Sequence, residues 1–120
     1  MDTPTRPHLS LMDYYILTKD KKVRKAQSQN VWAKFFEDRD NRKVRQTRFT
    51  HNDKKLFVST VFIGIDQSLE DPPLVFETMG FIDGDGVSCD RTPTYESALE
   101  SHWEACRMLG WKPSNFNPGE

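Results

Sequence analysis

Residues 57–82, FVSTVFIGIDQSLEDPPLVFETMGFI, hold two apolar-rich runs separated by an acidic segment that ends in Pro72 and Pro73. Their Val, Ile, Phe and Thr suit a pleated, half-buried surface, so residues 56–65 and 74–82 predict two long strands. Upstream, residues 14–17 predict a short strand and the basic run 19–24 a solvated turn. Residues 30–37 alternate as a strand would, with Val31, Ala33 and Phe35 on one side and Trp32, Lys34 and Phe36 on the other. A turn at 38–41, a strand at 43–49 and a turn at 50–55 follow. Asp83-Gly84-Asp85-Gly86 breaks the sheet.

The period then changes. Tyr95, Leu99, His102, Cys106 and Leu109 recur at steps of three and four, with Ala98 and Ala105 on the same stripe. Thr94 is a good N-cap, Glu96 suits the first turn, and Gly110 a C-terminus. The class predicted is α+β: an antiparallel β-meander of about four to five strands with one C-terminal helix packed on one face. Residues 1–12 read as a flexible arm, 13–110 as the single domain and 111–120 as a tail.

Parity sorts the strands into two faces. With Val44 placed opposite Val61, and Val61 near Thr78, one face collects Val31, Ala33, Phe35, Val44, Gln46, Val61, Ile63, Leu74 and Phe76, an apolar bed for the helix. The other collects Trp32, Phe36, Arg45, Thr60, Phe62, Glu77 and Met79, with Lys34, Lys43, Thr47, Val58, Gly64 and Val75. It mixes large apolar groups with charge, the composition of an interaction surface. A slip by one residue would invert the assignment.

Composition narrows the classes. The chain has 120 residues, 36% of them hydrophobic and 12% aromatic, enough for one core. No apolar run reaches a membrane span and the first residues lack a signal-peptide pattern, so the expectation is a soluble intracellular protein without membrane contact. Cys89 and Cys106 are the only cysteines, with no zinc spacing around them. The formal net charge of -1 conceals a split: residues 1–55 carry 14 Lys/Arg against 7 Asp/Glu, and residues 56–120 carry 3 against 11. Such halves either mark an anion-binding region or neutralise each other in the fold.

Candidate chemistry is sparse. Glu77, among apolar neighbours with Arg45 and Lys43 on the next strand, suits either proton transfer or a cross-strand ion pair. Asp66, Glu70 and Asp71 with Glu77 could hold a hard cation, but their spacing matches no known site, and an acidic solvated loop is the plainer reading. The DGDG turn lacks the later ligands of a calcium loop. His102 and Cys106 lie one helical turn apart, yet the stripe points both into the core, where a thiol is inert. The same parity puts Glu77 on the far side of the sheet from His102. The basic strand residues Arg42, Lys43, Arg45 and Arg48 near Trp32 and Phe36 offer nucleotide or nucleic-acid binding as an alternative. The overall pI of about 6.3 argues against a dedicated nucleic-acid binder.

The motifs VSTVFIGID (58–66) and PPLVFETMGF (72–81), the Tyr95–Ala98–His102 rhythm, and WAKFFE (32–37) with its following basic strand together resemble a family of small uncharacterised proteins of tailed bacteriophages and prophages. The resemblance covers roughly residues 14–108. The family tends to carry a histidine and several glycines after the position of Asp66, where this chain has Gln67-Ser68-Leu69-Glu70. The resemblance implies context more than mechanism: such proteins often bind host proteins, defence systems or signalling nucleotides. The expectation is a non-enzymatic accessory protein, with no cofactor and no metal, that binds a host or phage macromolecule through the mixed face. That face also suits self-association as a homodimer. The alternatives are a metal-assisted hydrolase using Asp66 and Glu77, and a nucleotide or nucleic-acid binder using the basic strands.

Overall fold

A computed structural model of the chain describes residues 13–66 and 71–113. The α+β class holds. Seven strands form two antiparallel sheets, and a C-terminal helix packs on the larger one. The strands are β1 (Asp13–Leu17), β2 (Val23–Lys25), β3 (Lys43–His51), β4 (Lys54–Phe62), β5 (Ile65–Asp66), β6 (Phe76–Ile82) and β7 (Asp85–Thr92). The helices are α1 (Gln29–Glu37) and α2 (Tyr95–Met108), with a short 3-10 turn at Arg39–Asn41. The large sheet is the meander β3-β4-β6-β7 and the small one has the order β2-β1-β5. Among the described residues no helix is long and apolar enough to cross a membrane.

Local chemistry explains the turns. Asn52 and Asp53, both at positive φ (53° and 65°), make the two-residue turn from β3 to β4, the backbone that matches strand twist in a hairpin. Asp83 and Gly84 (φ 50° and 90°) do the same between β6 and β7. The DGDG segment therefore does not end the sheet as expected. It reverses the chain into an eight-residue strand, β7, that its Gly, Ser and Asp content disguised. Helix α2 begins as expected: the Thr94 hydroxyl accepts from Ser97 N at 3.0 Å, and Ser97 Oγ accepts from Thr94 N at 3.0 Å. Its C-terminus turns at Gly110, at φ 106°.

The expected strand at residues 30–37 is a correction: this segment is helix α1. Ser28 caps it, its hydroxyl accepting from Val31 N at 3.2 Å. Trp32, Phe35 and Phe36 fall at helical spacing, and α1 packs beside β1, with Trp32 4.8 Å from the ring of Tyr14. The string VWAKFF satisfies both a period of two and a period of 3.6, and the cap upstream decides between them.

The expected parity is also corrected. Val61 pairs with Glu77 and Thr60 with Thr78, one residue off the expected register. Lys43, not Val44, lies opposite Val61, and Val44 bulges out before Arg45 pairs with Thr60. From Arg45 onward β3 keeps its expected register on β4, so the two strands are turned over together relative to the expectation, with Thr47, Phe49, Val58, Thr60 and Phe62 inside and Val61 outside. Strand β6 keeps its expected orientation, Phe76 inward and Glu77 outward.

Two apolar clusters lie under α2. One gathers Leu17, Phe62, Val75, Phe76 and Ala98, with Phe35, Phe36 and Val44 packed against it; the other gathers Phe49, Leu56, Val58 and Cys106 with Trp103 and Trp111. The expected tail thus starts docked, its first residue Trp111 being 5.5 Å from the Trp103 ring. Residues 114–120 and the expected arm, 1–12, lie outside the described residues.

Candidate functional site: the open face of the meander

Helix α2 covers one face of the four-stranded sheet, and the opposite face, left open among the described residues, turns three rows of side chains outward. Cross-strand pairing places Lys43, Val61, Glu77 and Arg91 in the first row. Gln46, Ser59, Met79 and Cys89 form the second, and Arg48, Phe57 and Phe81 the third. Phe57, Val61, Met79 and Phe81 are half-buried, while Lys43, Arg48, Cys89 and Arg91 on the two edge strands are exposed. The face has an apolar centre and a charged rim, the anatomy of a protein-binding patch.

Its side chains are fixed by one another. The Arg48 guanidinium lies 4.2 Å from the centre of the Phe57 ring, and Phe57 stacks on Phe81 at 5.6 Å with 25° between the planes. Arg91 donates to Glu77 Oε2 from Nε at 3.3 Å and from Nη2 at 3.2 Å. The Cys89 thiol donates to the same oxygen at 3.6 Å. Burial, and after it the Glu77 charge, raises the Cys89 thiol above its ordinary range. The Gln46 amide donates to Ser59 Oγ at 3.4 Å. Glu77 is therefore an ion-paired group, but its partner is Arg91 on the unforeseen strand β7, not Arg45 or Lys43.

Of the seven residues expected to share a mixed face, only Glu77 and Met79 lie on the open one. Thr60 and Phe62 are sealed beneath α2, at 0% and 1% exposure. Arg45 turns toward α2, 5.0 Å from the centre of the Trp103 ring system. Trp32 and Phe36 belong to α1, 4.7 Å apart, with Phe36 leaning on Phe62 at 6.0 Å. Phe57, Phe81, Cys89 and Arg91 were missed, and Arg48 was expected only as part of a nucleic-acid-binding strand. Glu77 carried the signal that finds two of them: a charge fixes the outward parity of β6, so Met79 and Phe81 follow it, and the Thr60–Thr78 match then turns Phe57 outward too.

The buried side holds a polar seam. His102 Nε2 lies 2.8 Å from Thr47 Oγ1, His102 Nδ1 lies 2.8 Å from Thr60 Oγ1, and Thr60 Oγ1 lies 2.8 Å from Thr78 Oγ1. Burial, aided by the Arg45 charge, lowers the His102 pKa to about 4, so the ring is neutral at pH 7. Burial pushes the Cys106 thiol up to about 11, which leaves it protonated. His102 has no exposed surface, and its two nitrogens are both engaged by threonines, so the seam ties helix to sheet. Glu77 faces away from it, as parity required.

The acidic groups do not converge. Asp66 sits buried in β5 across from Asp13, in the small sheet, whereas Glu77 is in the meander. Glu70 lies outside the described residues. Among the described residues no group of three His, Cys, Asp or Glu side chains is placed to hold a metal ion. No protein-family model, no curated protein and no solved structure matches the chain.

Proposed function

We propose that this chain works by non-catalytic binding of a protein through the open face of the meander. The carrying observation is the outward-facing row Arg48–Phe57–Phe81 beside Met79 and Val61, opposite the face that α2 covers. Half-buried apolar side chains at the centre and long charged ones at the rim give a partner both area to desolvate and groups to orient on. Taken with the phage resemblance, the partner is a host or phage protein met in the bacterial cytoplasm, or a second copy of the chain.

A nucleic acid fits this face less well. Single strands bind by stacking bases on free ring faces, and here Arg48 and Phe81 already flank Phe57. Hydrolysis by Asp66 and Glu77 is supported least, because the two carboxylates stand in different sheets and Arg91 engages Glu77. The test is capture from bacterial lysate by the immobilised wild-type chain and by the variant Met79→Asp/Phe81→Asp, with sedimentation of each alone. A protein held by the wild type, or a dimer, that the variant loses supports the reading. Equal capture and equal mass for both chains would sink it.

A further inference from the structure

We infer that a second site, where α1, the 3-10 turn and β3 meet, binds the phosphoryl group of a small phosphomonoester. The site borders the open face and shares Lys43, Gln46 and Val61 with it, but the inference does not rest on the protein-binding reading. A concavity of about 290 Å³ opens there, with Arg39, Arg42, Lys43 and Gln46 as its polar wall and Phe36 and Val61 among its apolar residues. No carboxylate lines it among the described residues.

Arg42 is the organising group. Its carbonyl accepts from Phe62 N at 2.7 Å and its N–H donates to the Arg39 carbonyl at 3.1 Å, so its backbone is pinned to both β4 and the 3-10 turn. Its guanidinium carbon sits 5.6 Å from the centre of the Phe36 ring. Its Nε is shut off from water and has no hydrogen-bond partner among the described residues. Because Nε is closed to solvent, a ligand in the concavity would meet Arg42 through its terminal nitrogens, which can form the paired contacts of a guanidinium fork. The 3-10 turn itself is held in shape: Asp38 accepts from Asp40 N at 2.9 Å, and the Asn41 amide donates to the Phe35 carbonyl at 2.8 Å. Asp40 in turn reaches Lys43 only at 3.9 Å, leaving that ammonium exposed to a ligand.

The chemistry selects the anion. Three cations facing no lining carboxylate suit a dianion better than a single carboxylate, and the planar guanidinium fork matches phosphoryl oxygens. The volume is at the low end for ligand pockets, roughly 300 Å³ and upward, so it holds the phosphoryl group and leaves the organic part to lie along Phe36 and Val61 and out of the mouth.

Isothermal titration at low ionic strength, with inorganic phosphate and a nucleoside 5′-monophosphate as separate probes, tests this. The wild type should bind at least one probe saturably, and Arg39→Gln/Lys43→Gln should weaken that binding by about tenfold or more, the loss expected for charge-assisted phosphate contacts. Arg42→Lys, which keeps the charge and removes the fork, should weaken it too, with circular dichroism checking the fold. Arg48→Gln, at the far end of the sheet, should leave it unchanged. A nucleotide that outbinds phosphate places the organic group on Phe36; equal affinities make free phosphate the ligand. No saturable binding of either probe by the wild type up to roughly 10 mM, unchanged affinity in the double variant, or an equal loss in Arg48→Gln would each overturn the site.

Discussion

His102 Nδ1 and Thr60 Oγ1 lie 2.8 Å apart at the centre of the interface between α2 and the sheet, with neither residue exposed. Thr60 also meets Thr78, so one hydroxyl links the helix to two strands. This contact makes stability depend on pH in a definite direction. The His102 pKa falls from an ordinary 6.5 to about 4 in the fold, first through burial and then through Arg45. Above 6.5 neither state binds the proton, and the full stability is present. As pH falls below 6.5 the unfolded chain takes up a proton that the folded chain refuses, so stability is lost progressively until about pH 4. The whole loss is on the order of 3 kcal/mol. Urea denaturation at pH 7, 5.5 and 4.5 should show it. The same series on His102→Gln should be flatter by most of that amount.

Thr60→Val keeps the shape of the side chain and removes the hydroxyl. It leaves a His102 nitrogen and the Thr78 hydroxyl short of a partner in a site closed to bulk solvent, which should cost about 1–3 kcal/mol. Thr60→Ser restores the oxygen and should recover most of that loss. If Val and Ser were equally tolerated in denaturation curves, the seam would be packing alone.

Gly64 sets how closely α1 approaches the small sheet. Its φ is 67°, and a Cβ there would lie 2.7 Å from the Phe36 ring and 2.8 Å from the Tyr15 carbonyl. Gly64→Ala should therefore lower stability by roughly 1–3 kcal/mol, from left-handed strain plus displacement of Phe36. Gly84→Ala carries the same kind of strain but no contact within 4 Å, so its smaller loss separates the two causes. Thermal melts of the two variants check the ordering.

What the sequence made legible follows from which forces are local. The α2 boundaries were readable because Thr94 and Gly110 act on their own backbone neighbours. The outward orientation of Glu77 was readable because its charge alone fixes it. Register was legible only in part: from Arg45 onward β3 pairs with β4 as expected, but β4 meets β6 one residue off, Val61 facing Glu77, and nothing in the residue types of the 63–75 connection announces that slip. Strand β7 was hidden because its pairing with β6, rather than intrinsic propensity, makes Gly86, Ser88 and Asp90 extended. The segment 30–37 went to helix because the Ser28 cap and the contacts of Trp32 with Tyr14 and Phe36 outweigh an alternation that its β-branched and aromatic residues also permit. The mixed face inherited these errors: Thr60 and Phe62 were assigned to it through the slipped register, and Trp32 and Phe36 through the mistaken strand.

The open face offers a chemical readout that needs no partner. Cys89 is exposed, while Cys106 is buried with its thiol raised to about 11. In the native protein at pH 8, iodoacetamide should therefore label Cys89 and spare Cys106, as peptide mass spectrometry would show. Glu77 slows even the exposed thiol, because its charge and its acceptance of the S–H both favour the protonated form. Glu77→Gln removes that charge and leaves the Arg91 guanidinium, which favours the thiolate, without its partner. The Cys89 pKa should fall and its alkylation accelerate several-fold. Arg91→Gln withdraws the opposing cation and should slow the reaction instead. Were both variants to react at the wild-type rate, the three side chains would not be coupled as the rows of the sheet place them.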